Sequence, residues 1–84
     1  MKREEILKRV SSIFEDIFGV ELSQVHPTLS PDQLENWDSL NHVHLISAIE
    51  EKFNVVLSAE EQSDMLSVDL ILDILQDRLS SAQQ

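Results

Sequence analysis

Apolar side chains recur at three- and four-residue steps along most of this chain, and that period constrains its fold more than any other feature. Ile6, Leu7, Val10, Ile13, Phe14 and Ile17 follow it in the first segment, which gathers them on one side of a helix. Gly19, the only glycine, stands where a left-handed residue closes such a helix, so helix one is predicted over residues 2–18. Glu5 is spaced from Lys8 and Arg9 to lend it minor surface support. Residues 19–38 lose the period and hold both prolines, Pro27 and Pro31, which predicts a long loop. Its apolar residues, Val20, Leu22, Val25, Leu29, Leu34 and Trp37, are expected to pack down over the helices. Within it, Ser30-Pro31-Asp32-Gln33 has a capping-box pattern with proline at the first helical position, predicting one short helical turn.

The period returns after Asp38-Ser39 and runs over residues 39–53. Leu45, Ile49 and Phe53, with Ile46 alongside, form the stripe assigned to the core. Leu40, Val43 and Ser47 form a second stripe, so this helix has either a wide buried face or an exposed contact surface. Asn54 permits a turn, and Val55-Val56-Leu57 reads as a short extended link. Ser58-Ala59-Glu60-Glu61 is a capping box that opens a brief helix over residues 59–65. Ser67 then caps a last helix, residues 67–80, with Asp69, Asp73 and Asp77 on its wet side. The polar tail from Ser80 to Gln84 is expected to fray. With no convincing strand pair, the predicted class is all-α: three main helices and one short one around a single core.

Size and charge narrow the function. At 84 residues the chain makes one domain, residues 1–84. Sixteen acids face six Lys and Arg, a formal charge of −10. Residues 1–9 carry +2 and residues 10–84 carry −12. That surface repels nucleic acid and anionic lipid, and suits a protein partner with basic patches. No apolar run is long enough to form a signal peptide core or to span a membrane, so a cytoplasmic monomer is expected. There is no cysteine, hence no disulfide and no thiol nucleophile of the chain's own.

Most catalytic signatures are missing: no nucleophile elbow, no phosphate-binding glycine loop, no calcium-binding loop. His26, His42 and His44 read as surface or partly packed residues, and His42 and His44 point to nearly opposite sides of their helix. No metal site and no catalytic residue is assigned. What remains is Asp38-Ser39-Leu40. Asp38 stands at the N-cap and Ser39 in the first turn, where unpaired N–H groups suit a phosphate ester on a nearby hydroxyl. The plainer alternative is that both residues merely cap the helix. A hydrolase with His42 as base and Asp38 orienting it would lack an oxyanion hole and a closed pocket.

Trp37-Asp38-Ser39-Leu40, followed by Val43, Leu45, Ile46, Ala48-Ile49-Glu50-Glu51 and Phe53, resembles the second helix of acyl carrier proteins and related carrier domains. The likeness extends over nearly the whole chain, from the amphipathic first helix and long loop to the short acidic helix and closing helix. It implies that Ser39 is the attachment site of 4′-phosphopantetheine, donated by coenzyme A through a phosphopantetheinyl transferase. Asp38 would assist loading by helping to hold Mg²⁺. Acyl groups held as thioesters on the arm's thiol would then be presented to activating, condensing or transferring enzymes. The same resemblance turns Leu40, Val43, His44, Ser47, Glu50 and Glu51 toward those partners. His44 and Ser47 depart from the familiar fatty-acid carriers, where an acid and an apolar residue are usual. Polyketide or other specialised acyl-transfer partners therefore stand beside fatty-acid synthesis. The alternatives are an aminoacyl or peptidyl carrier and an acidic helical adaptor without a prosthetic group.

Overall fold

The computed structural model describes residues 2–82. It is all-α, with no strand among the described residues: α1 (Arg3–Phe18), α2 (Ser39–Phe53), α3 (Ala59–Asp64) and α4 (Val68–Ala82). The core is built from the periodic stripes. Ile6, Val10, Ile13, Phe14 and Phe18 of α1 meet Leu45, Ile46, Ile49 and Phe53 of α2 and Val68, Ile71, Leu72 and Leu75 of α4. Each removes apolar area from water at about 25 cal/mol per Å², and this burial holds the three long helices together.

The helix ends are set by local chemistry. Gly19 closes α1 at φ +70°, its N–H donating to the Glu15 carbonyl at 3.0 Å. Nothing lies within 4 Å of where its Cβ would stand, so glycine is favoured there by backbone angle and not by space. Asn54 closes α2 in the same left-handed region, φ 55°, which asparagine tolerates better than most residues. Ser58 and Glu61 form the capping box of α3, with bonds of 2.9 and 3.1 Å. Ser67 Oγ accepts from the Leu70 N–H at the start of α4. This last helix continues through Ala82, past the end near residue 80 that the sequence suggests. The polar tail therefore begins inside it, while residues 83 and 84 lie outside the described residues.

The long loop is pinned more firmly than its composition implies. Val20, Val25, Leu29 and Trp37 are buried as expected. Leu22, by contrast, is exposed and Leu34 only half-buried. Leu22 opens a 3-10 turn, Leu22–Gln24, stabilised by Gln24 Oε1 accepting from the Glu21 N–H. That turn rotates Leu22 outward so that Val25 can enter the core. The second turn, Pro31–Gln33, forms where proline predicts it, yet the Ser30 side chain caps nothing. Its closing bond instead runs from the Gln33 N–H to the Ser30 carbonyl. Loop carbonyls of Leu29 and Pro27 accept from the N–H groups of Val68 and Asp69 at 3.0 and 2.9 Å. They satisfy donors that the start of α4 cannot pair internally.

Arg3 ties the start of α1 to the first half of α4, donating to Asp69 and to Asp73, the latter at 2.8 Å. The Glu5 pairing with Lys8 or Arg9 expected along α1 is not among the ion pairs of the described residues.

Candidate functional site

The first turn of α2 is anchored on both sides. Asp38 is the N-cap, and its Oδ1 accepts from the Asn41 N–H at 2.9 Å. Asn41 Nδ2 in turn donates to the Asn36 carbonyl at 2.7 Å, and Asn36 Nδ2 donates to the Phe18 carbonyl at 3.1 Å. The end of α1, the end of the loop and the start of α2 are thus joined by one chain of bonds. Trp37 wedges beneath this junction, buried edge-on against Phe14 at 5.2 Å and tilted against Phe18 at 5.7 Å.

Ser39 follows directly, exposed at the first residue of α2. Its hydroxyl takes part in none of the side-chain hydrogen bonds among the described residues. Beside it opens a shallow pocket of about 370 Å³, lined by Pro31, Trp37, Asp38, Ser39, His42 and Leu66. Pro31, Trp37 and Leu66 give the lining its apolar part, and Asp38, Ser39 and His42 its polar part. Pro31 and Leu66 were missed as neighbours of Ser39 because they approach it only through the folding of the loop and of the α3–α4 connection.

His42 is not available as a base for Ser39. Its Nδ1 accepts from the Trp37 indole N–H at 3.0 Å, and its Nε2 meets the Gln62 carbonyl at 2.8 Å. Asp38 bonds a backbone N–H and not the imidazole. The Ser–His–Asp geometry that acyl transfer by the chain itself requires is therefore absent from this turn. His44, two residues on, is exposed. No cluster of three or more His, Asp or Glu among the described residues is arranged to hold a metal ion. No helix among them is long and apolar enough to cross a membrane.

The outer stripe of α2 resolves the choice left by its two apolar faces. Leu40 is 67% exposed and Val43 61%, with His44, Ser47 and Glu51 exposed beside them. Glu50 differs: half-buried, its Oε2 accepts from the Leu57 N–H at 2.8 Å and fixes the link between α2 and α3. One oxygen of its carboxylate is thus engaged by the chain itself, at a residue that the sequence resemblance turns toward partners.

Fold and site together define a small acidic helical bundle that displays one free hydroxyl at a helix start, with no catalytic constellation around it. Comparison with known proteins identifies the family. The acyl carrier protein of Thermosynechococcus vestitus is 35% identical over 96% of this chain and 100% of its own length. That of Cyanidioschyzon merolae is 33% identical over 99% of this chain and 92% of its own. That of Rubrobacter xylanophilus is 37% identical over 87% and 90%. No family model matches the chain. At these identities over nearly full length, the chain belongs to the acyl carrier protein family, a family of carriers and not of catalysts.

Proposed function

We propose that this chain acts as a single carrier domain that holds acyl groups on a 4′-phosphopantetheine arm attached to Ser39. The observation that carries the reading is the Ser39 hydroxyl, exposed and unbonded at the start of α2 beside a pocket of about 370 Å³. The residues present fit the group. The first turn of α2 leaves the N–H groups of Ser39 and Leu40 without intrahelical acceptors, and these favour a phosphodiester. The apolar part of the lining, Pro31, Trp37 and Leu66, suits the methyl-bearing segment next to it. When bound, the arm supplies the thiol that this cysteine-free chain lacks and on which acyl groups are carried.

Asp38 has a second carboxylate oxygen beyond the one that caps α2, and it lines the same pocket as Ser39. It is the group on this chain suited to steady Mg²⁺ during loading by a phosphopantetheinyl transferase. Leu40, Val43, His44, Ser47 and Glu51 make the surface offered to biosynthetic enzymes, with basic patches drawn by the chain's −10 charge. His44 and Ser47 lower the charge and apolar content of that surface. This favours partners from polyketide or other specialised acyl transfer beside those of fatty-acid synthesis. The carrier works as a cytoplasmic monomer.

Intact mass after incubation with coenzyme A, Mg²⁺ and a permissive transferase tests the reading. One phosphopantetheine is gained by the unaltered chain and none by Ser39→Ala, whose melting is unchanged. A gain that survives Ser39→Ala overturns the site, and no gain in the unaltered chain overturns the carrier role.

A further inference from the structure

The short helix α3 is held differently from the rest of the bundle. None of its six residues is buried; the apolar anchors, Leu57 and Met65, lie just outside it. Among the described residues, two polar connections fasten it to the other helices. On one side Glu61 pairs with Arg78 of α4. On the other, the Gln62 carbonyl is reached by His42 of α2 at 2.8 Å.

The bonding of His42 leaves its ring no choice of state. An indole N–H can only donate, so Nδ1 must accept from Trp37. A backbone carbonyl can only accept, so Nε2 must carry the proton that goes to Gln62. The two rings also stack, with centroids 6.2 Å apart and planes at 21°. Through Trp37 the imidazole is therefore tied to the α1 core, and through Gln62 to α3. It lines the Ser39 pocket together with Leu66, which stands two residues beyond the end of α3.

We propose that His42 is a positioning residue of the carrier site: a neutral Nε2–H imidazole that latches α3 to the serine end of α2 and so steadies Leu66 in the lining of the Ser39 pocket. Its consequence at Ser39 rests on the carrier reading, whereas the latch is a property of the unmodified chain. A transferase meeting Ser39 then finds α3 already in place, and the cost of ordering it is not charged to binding.

Three measurements test this, the first on the unaltered chain, so that no variant need fold for it to count. Ring nitrogen shifts in labelled protein report the tautomer, and the Nε2–H form is expected. His42→Asn keeps an acceptor near the Nδ1 position, and His42→Gln keeps a donor near that of Nε2. Amide exchange in α3 should quicken about 3- to 10-fold in His42→Asn, the factor that one net hydrogen bond is worth, and be restored in His42→Gln. Loading should follow the same split: His42→Asn raises KM for the carrier by a similar factor, leaving kcat nearly unchanged, and His42→Gln recovers it. A ring in the Nδ1–H form overturns the latch, as does equal α3 exchange in both variants. A loss confined to kcat overturns the positioning role. Absence of loading in the unaltered chain sinks the carrier reading instead, a result that the tautomer and exchange data do not share.

Discussion

The two faces of α2 both carry apolar residues, four on one and two on the other, and meet opposite fates. Leu45, Ile46, Ile49 and Phe53 are buried against α1 and α4, while Leu40 and Val43 on the other side stay more than half exposed. Burial, and not hydrophobicity, separates a residue that holds the fold from one that is free to meet a partner. Leu40 and Val43 therefore contribute little to holding the helices together and remain accessible on the surface. The inner face answers to packing; the outer is the face that the carrier reading offers to partner enzymes.

That division can be broken most severely from the inside. Ile49 is fully buried, so Ile49→Ala should cost about 2–5 kcal/mol in urea unfolding. Leu40→Ala, on the opposite face, should stay within about 0.5 kcal/mol. Equal losses at the two positions would erase the distinction between the faces.

Asp38 caps α2 and, on the carrier reading, also assists loading. Asp38→Ala removes the cap on Asn41 and should cost about 1 kcal/mol of stability. Loading with phosphopantetheine should slow on the order of 10- to 100-fold, the scale for disturbing a metal-assisted site. Should melting and loading fall only in proportion, Asp38 is a cap and nothing more.

A milder test lies in acid. The Arg78 guanidinium, with help from the Ser58 N–H, holds the Glu61 carboxyl down at about 2. Because the folded state depresses this group, its contribution is complete above the ordinary carboxylate value. It is lost as pH falls from about 4.5 toward 2. Melting measured across that window should decline less steeply in Glu61→Gln than in the unaltered chain, with α3 exchange showing the difference first. An identical slope in both proteins would mean that the pair with Arg78 contributes nothing to fastening α3.

The helices were legible because their signals are local. Apolar spacing, one glycine, one asparagine and three capping residues lie within a few positions of the ends they set, so Gly19, Asn54, Ser58 and Ser67 could be read directly. The placement of Asp38 at the N-cap and Ser39 in the first turn of α2 was legible for a related reason: a helix start is a local feature. Leu22 and Ser30 show where such reading fails. A 3-10 turn aims its side chains by a different rotation from an α-helix, so Leu22 was placed inside and lies outside. At Ser30 the cap pattern is present, but the turn closes through the carbonyl.

The sequence by itself determined an all-α bundle, its core stripes, its acidic surface and the exposed serine at the start of α2, because all of these follow from period, caps and charge along the chain. Only the tertiary structure decided that the second stripe of α2 stays uncovered, that Glu50 bonds the Leu57 N–H, and that His42 stands between Trp37 and Gln62. Those contacts join residues five to twenty positions apart, on α2, α3 and the segments that lead into them. Their partners are chosen by how the helices pack, which no local pattern records.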